Sequence, residues 1–334
     1  MNLLPADEPR ETIIRASVET NPEFGFSSLD NLPIEYLLGN SVISLDKPAG
    51  PTSHEVATWV SKILKADKVG HGGTLDPGVT GILPTGVGEA TKAMQALLPA
   101  GKEYVCILEL HSKAQSEGIQ EVMNEFVGKI YQKPPLRSAV KRILRVREVY
   151  YIDIIEIKGR LVLFRVGCQA GTYIRKICSD VGEALGTGGH MRELRRTRVG
   201  SFREDEHLCS LYDLKDAYVF WKENSEEEEL RKYLLPVEFS LEHLPMITVR
   251  DSAVDALCHG ASLAASGVVS LNTGIKKDDL ISLKTLKGEA IALAKSMSNS
   301  DAIAKAKSGI VATTDRVLME RGRYPPKWKK KSTE

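Results

Sequence analysis

Gly70-His71-Gly72-Gly73-Thr74-Leu75-Asp76-Pro77 opens a segment that runs to Gly88 and holds a single carboxylate, that of Asp76. Seven of its nineteen residues are glycine, far above the ordinary usage of about 7%. Glycine tolerates positive φ and lets backbone come close to a ligand. An Asp in such a loop has two readings. Either it closes a surface turn by bonding its own backbone, or it is presented to a bound molecule as a nucleophile. Metal-ligand spacing is missing around it. The stretch Gly88-Glu89-Ala90-Thr91-Lys92 departs from the G-x-x-x-x-G-K-[ST] phosphate loop. No G-x-G-x-x-G opens a helix after a strand, so no cofactor and no metal is expected.

Outward from this loop the chain alternates short strands with isolated helices. Residues 42–45 read as a strand, followed by the turn Asp46-Lys47-Pro48-Ala49-Gly50-Pro51. Thr52 and Glu55 form a capping box for a helix whose apolar face is Val56, Trp59, Val60, Ile63 and Leu64. Residues 104–110 read as a strand and 119–126 as a helix. Residues 150–157 and 161–166 form a hairpin turned at Gly159. Gly171-Thr172-Tyr173 leads into a helix that buries Ile174, Ile177, Cys178, Val181 and Leu185 and stops at Gly186, Gly188 and Gly189. Hairpins without βαβ alternation predict an α+β fold on a mixed, mainly antiparallel sheet. The acidic run at 226–229 with Pro236 and Pro245 suggests a linker across 222–245. The short apolar runs of 247–324, broken by glycines, suggest a small β-barrel module. Residues 1–40 show little periodicity and read as an N-terminal extension that wraps the body or is partly disordered.

Composition narrows the class. At 334 residues, 42% hydrophobic and 27% charged, the chain suits a globular protein of two domains. No apolar stretch approaches the ~20 residues needed to cross a bilayer, so no membrane association is expected. Five scattered cysteines, with no C-x-x-C pair, suggest reduced thiols in a cytoplasmic setting. The net charge of +1 hides segregation. Residues 133–147 carry six cations and no acid; Arg192, Arg195, Arg196, Arg198 and Arg203 form a second cluster, and the tail 326–334 is basic. Such separated charge supplies a face for phosphates, although most charge runs are merely solvated.

Single residues carry bland and chemical readings side by side. Lys47 is an ordinary turn residue or a cation for a phosphate or carbonyl. Tyr104 packs in a core or stacks on a base, worth roughly 1–3 kcal/mol. Arg175 stands in the first turn of its helix, where the macrodipole disfavours a cation. A carboxylate partner and burial among Tyr173, Ile174 and Ile177 are therefore expected for it.

Six ordered segments then carry a resemblance. They are Asp46-Lys47-Pro48-Ala49-Gly50-Pro51-Thr52-Ser53-His54, His71-Gly72-Gly73-Thr74-Leu75-Asp76-Pro77, Gly101-Lys102-Glu103-Tyr104-Val105, Tyr131-Gln132-Lys133-Pro134-Pro135, Gly171-Thr172-Tyr173-Ile174-Arg175-Lys176 and Leu194-Arg195-Arg196-Thr197-Arg198. Together they resemble the archaeal-type dyskerin group of pseudouridine synthases, within the TruB family. The region around Lys307-Ser308-Gly309-Ile310-Val311 and Arg323-Tyr324-Pro325 resembles the family's C-terminal PUA domain. Gly78 stands where the family usually has a lysine, and Glu109 where it commonly has a histidine.

The resemblance implies a catalytic domain at 41–236, a PUA domain at 245–325 and an N-terminal extension, 1–40, that packs on the latter. It implies Asp76 as the catalytic carboxylate, Tyr104 and Arg175 as its catalytic companions, and Lys47, His71, Tyr173 and Leu194 as substrate contacts. Lys133, Arg137, Lys141 and Arg142 fall in the family's RNA-binding substrate loop. The implied activity is cofactor-free isomerisation of uridine in ribosomal RNA, with the T-loop of tRNA as a further target. Direction would come from a box H/ACA guide RNA, with partners of the Nop-ten and Gar-one types and a ribosomal-L7-type kink-turn binder. Two rivals remain at this point: a stand-alone tRNA enzyme, and a non-catalytic RNA-binding scaffold. Whether the carboxylate attacks the sugar or assists its deprotonation is also open.

Overall fold

The computed structural model describes residues 3–133 and 143–326. Two sheets organise them. The larger is mixed and mainly antiparallel, and its main path places Ser41–Lys47, Thr80–Val87, Gly189–Val199, Lys102–Leu110, Leu161–Cys168, Arg145–Lys158 and Gly128–Gln132 side by side. One parallel pairing matters for the site: Thr80 and Gly81 lie beside Arg195 and Arg196. The smaller sheet has seven strands, from Thr12–Ile14 to Ile310–Val317, around a core of Ile247, Leu271, Ile281, Leu283 and Ile291. This is the α+β architecture expected, with all strands of the smaller sheet except Thr12–Ile14 coming after residue 245.

Local chemistry explains the boundaries. The Thr52 hydroxyl accepts from the Glu55 amide at 3.2 Å, while Glu55 accepts from the Thr52 amide at 2.8 Å. These bonds satisfy donors left free at the start of Ser53–Leu64. That helix buries Val56, Ala57, Val60 and Leu64, but Trp59 is exposed, contrary to the sequence reading. Trp59 falls at the edge of the buried arc, and polar neighbours occupy the rest of that side. The hairpin forms with Gly159 at φ +65° between Arg145–Lys158 and Leu161–Cys168. The helix expected at 119–126 spans Ser116–Glu125.

One expectation about the layout needs correction. Residues 222–245 are not a linker. They form the end of Leu211–Asn224, the helix Glu228–Tyr233 and a short 3₁₀ turn, with Leu230, Leu234 and Leu241 buried. The acids Glu228 and Glu229 occupy the first turn of their helix, where the macrodipole favours them. Of the two readings offered for the segment before residue 41, the structure shows the wrapping one. Thr12–Ile14 adds a strand to the seven-stranded sheet, and Ile34–Asn40 buries Ile34 and Leu37 against Val56 and Val60. Arg15 donates to the carbonyl of Ala265 at 2.6 Å, that of Ala304 at 3.1 Å and that of Ala306.

Candidate active site

The glycine-rich loop is held from three sides. Behind it, Lys47 is fully buried and donates to the carbonyls of Pro48 (2.9 Å), Pro77 (3.1 Å) and Val79 (2.9 Å). From the helix start, the Ser53 hydroxyl accepts from the Leu75 amide at 2.9 Å and donates to its carbonyl at 3.1 Å. From the Gly189–Val199 strand, Arg196 donates to the carbonyls of Gly73 (3.0 Å) and Ile82 (2.8 Å). Asp76 itself begins a tight turn, its carbonyl accepting from the Val79 amide at 3.0 Å. Glycine is required at 81: φ is +101°, and a Cβ there would meet the Arg196 carbonyl at 2.2 Å.

The loop forms one wall of a cleft of about 270 Å³. Asp76, Tyr104, Tyr173, Arg175 and Leu194 all line it, as do Lys102, Met191 and Arg196. Five of the seven expected catalytic and substrate-contact residues therefore converge, although they come from four separate segments. The Arg175 guanidinium makes an ion pair with the Asp76 carboxylate across 99 positions of sequence. The carboxylate partner expected for Arg175 is thus Asp76. Burial of Arg175 was a wrong expectation: its side chain is 47% exposed and that of Asp76 58%. On Ile174–Ala184 the neighbours Ile174, Ile177 and Cys178 face the core, so position 175 turns outward to the cleft mouth.

Tyr104 sits where the register of Lys102–Leu110 shifts against Gly189–Val199, between Glu103 and Tyr104. Such an irregularity re-aims a side chain. Burial pushes the Tyr104 phenol upward, with the nearby Arg196 charge pulling it down. Tyr173 is fixed through its backbone: its amide donates to Gln132 at 2.9 Å, and Gln132 donates to its carbonyl at 3.1 Å.

Lys47 and His71 do not line the cleft. The Lys47 ammonium is already committed to three carbonyls, so it positions the loop rather than meeting a substrate. Burial lowers its pKa, and the Asp76 charge partly restores it. His71 lies half-buried on Val69–His71, with its own pKa lowered first by burial and then by Arg196. Lys133 is exposed just past Gly128–Gln132. The expected RNA contacts Arg137, Lys141 and Arg142 lie outside the described residues.

Reasoning from sequence missed Ser53, Lys102, Gln132 and Arg196 as site builders. Lys102 is buried and donates to the carbonyls of Leu97, Leu98 and Ala100 at 2.8–2.9 Å. Burial drives its pKa down to about 7. Two signals were available: cations at alternate or inward strand positions, and a serine directly after the cap. The two family departures are accommodated locally. A side chain at 78 would meet nothing within 4 Å, and Glu109 pairs with Arg160 (3.2 Å) and Arg192 (3.3 Å).

Comparison with known proteins matches four successive stretches of the chain. Residues 61–174 match the N-terminal domain of the TruB family pseudouridylate synthases, and 175–242 match the tRNA pseudouridylate synthase B C-terminal domain. Residues 245–318 match the PUA domain, and 3–57 the DKCLD (NUC011) domain. A probable tRNA pseudouridine synthase B of Methanopyrus kandleri is 57% identical, over 97% of this chain and 96% of that protein. Its counterpart in Thermococcus kodakarensis is 54% identical, over 98% and 97%. Among solved structures, a chain of a Cbf5-Nop10-Gar1 complex superposes with TM-score 0.94 at 53% identity, covering 97% of this chain and 98% of that one. A chain of an H/ACA RNP bound to a substrate RNA gives 0.92 at 50%, covering 98% and 100%. Cleft, loop and whole-length likeness agree: this chain belongs to the TruB family of pseudouridylate synthases, with DKCLD and PUA domains.

Proposed function

We propose that this chain converts uridine to pseudouridine in ribosomal RNA under the direction of a box H/ACA guide RNA, with Asp76 as the reacting carboxylate. The observation that carries the reading is the Asp76–Arg175 ion pair at the mouth of a cleft lined by Tyr104. A uridine is extruded from its RNA, at a cost of a few kcal/mol, and stacks on Tyr104. Arg175 holds the Asp76 carboxylate aimed at the ribose through their ion pair. The N1–C1′ bond breaks, the base turns, and C5 bonds to C1′. Asp76 takes part either by bonding C1′ or by accepting a sugar proton. Tyr173 and Leu194 complete the walls.

In this reading residues 41–236 form the isomerising unit, and residues 245–325 grip the 3′ end of the guide. The substrate loop with Lys133, Arg137, Lys141 and Arg142 holds the RNA backbone. Support for guidance comes from the whole-length likeness to chains of a Cbf5-Nop10-Gar1 complex and of an H/ACA RNP bound to substrate RNA. Partners of the Nop10 and Gar1 kinds, and a kink-turn binder of the ribosomal-L7 type, complete the particle in a cytoplasmic setting. A second reading, guide-free action on the tRNA T-loop, is favoured by the name that the curated relatives share. Reconstitution separates the two. Pseudouridine is mapped in an rRNA fragment with and without its guide, and in a tRNA transcript without guide. Guide-dependent product in the fragment is expected; product in tRNA alone would replace the first reading with the second.

A further inference from the structure

Three buried cations surround the Asp76 loop: Lys47, Lys102 and Arg196. None has a carboxylate oxygen of the described residues within 4.0 Å, although thirteen Lys or Arg ion pairs form elsewhere among those residues. Backbone carbonyls solvate each of them instead. Lys47 points behind the loop, and Lys102 is spent on the turn at 97–100. Arg196 differs. Like Lys102 it lines the cleft, but only two of its nitrogens are bonded, to Ile82 and Gly73, and it stands opposite Tyr104 across the paired strands. Asp76 and Arg175 neutralise each other at the mouth, so the floor keeps an uncompensated positive charge in a site shielded from water. A buried charge of this kind is costly without an anionic partner. The structure supplies none on the protein side.

The reaction supplies one. When the N1–C1′ bond breaks heterolytically, its electron pair stays with the base, and the pyrimidine becomes an anion spread over N1, O2 and O4. Asp76 balances the sugar, by forming a bond to C1′ or by taking a ribose proton. We propose that Arg196, with Tyr104 opposite it, binds the detached pyrimidine as an anion and thereby stabilises the departing base. The charge is then returned when C5 bonds to C1′ and its proton is transferred to N1. This inference rests on the pseudouridine-forming reading of the cleft. It assigns Arg196 to the leaving group, whereas Arg175 serves the carboxylate.

The test varies the acidity of the leaving base. Single-turnover loss of the N1-linked nucleoside is followed with the full RNA-bound protein, on a target uridine and on 5-fluorouridine, whose base is the stronger acid. In the wild type the two rates should agree within about fivefold, because the protein already stabilises the anion. Arg196→Met should slow uridine by about 100-fold, the scale of losing one preorganised donor. On 5-fluorouridine it should slow by only about tenfold. Equal losses on both substrates, or a tenfold weaker RNA affinity with an unchanged ratio, would overturn the role. If Arg196→Met does not fold, the wild-type ratio decides alone, and a difference above fivefold would count against the proposal. Absence of turnover by the wild type on uridine would instead remove the reading beneath it.

Discussion

At the scale of single residues, the proposed reaction divides chemistry and aim between Asp76 and Arg175. Arg175 is half-exposed and touches the carboxylate directly, so its removal should cost rate more than folding. Arg175→Met is expected to lower single-turnover pseudouridine formation by 10²–10³-fold, with RNA affinity within a few-fold and the melting temperature nearly unchanged. A loss confined to RNA affinity would move Arg175 out of the chemistry. Lys102 makes a second prediction through its pKa, about 7 in the fold against 10.5 for the free side chain. Between those values the unfolded chain binds more protons than the folded one, so stability rises with pH. Relative to Lys102→Met, the wild type should gain up to about 1.4 kcal/mol per pH unit from pH 7 to 9. Denaturant unfolding at pH 7, 8 and 9 measures this; a flat difference would show that the ammonium stays protonated. The sequence displayed Asp76, Tyr104 and Arg175 in separate motifs, and the cleft joins them. Lys102 and Arg196 showed only as cations on strands, and Gln132 not at all, because their partners are backbone groups, which carry no side-chain signature.

At the scale of elements, the contact between Thr80–Val87 and Gly189–Val199 decides where the loop sits. Gly81 lets these strands approach, and the same approach seats Arg196 beneath Gly73. Gly81→Ala is expected to destabilise the protein by at least about 2 kcal/mol, through positive-φ strain and a backbone clash. Thermal unfolding checks this, and an unchanged midpoint would mean that the strands can part without penalty. Much of this level was readable beforehand. The Thr52–Glu55 capping box, the Gly159 hairpin and the amphipathic Ile174–Ala184 helix follow from turn chemistry and apolar spacing. The acidic run was misread as a linker because composition alone does not distinguish a helix N-terminus from a solvated tether. Trp59 was misplaced because it sits at the margin of its helix's apolar arc.

At the scale of the whole molecule, the N-terminal segment straps the two sheets together. A three-residue strand, Arg15, and the bonds of Thr20 and Asn21 to Asp251 are among the contacts that hold it to the smaller-sheet module, too short a pattern for periodicity to reveal. Phe26 continues the strap: its amide donates to the buried Glu289 at 3.1 Å, and Tyr324 donates to the same carboxylate at 2.7 Å. Arg15→Ala should therefore speed limited proteolysis before residue 33 while leaving turnover at Asp76 within a few-fold. Unaltered cleavage would show that the strand pairing and the remaining contacts suffice without Arg15. In the proposed function, cleft, strap and PUA module all serve the placement of one carboxylate against one extruded nucleoside. The most direct measurement is single-turnover pseudouridine formation by Asp76→Asn, alongside its RNA affinity. Loss of product with affinity within a few-fold of wild type is expected. Product formed at a rate close to wild type would contradict the assignment of Asp76.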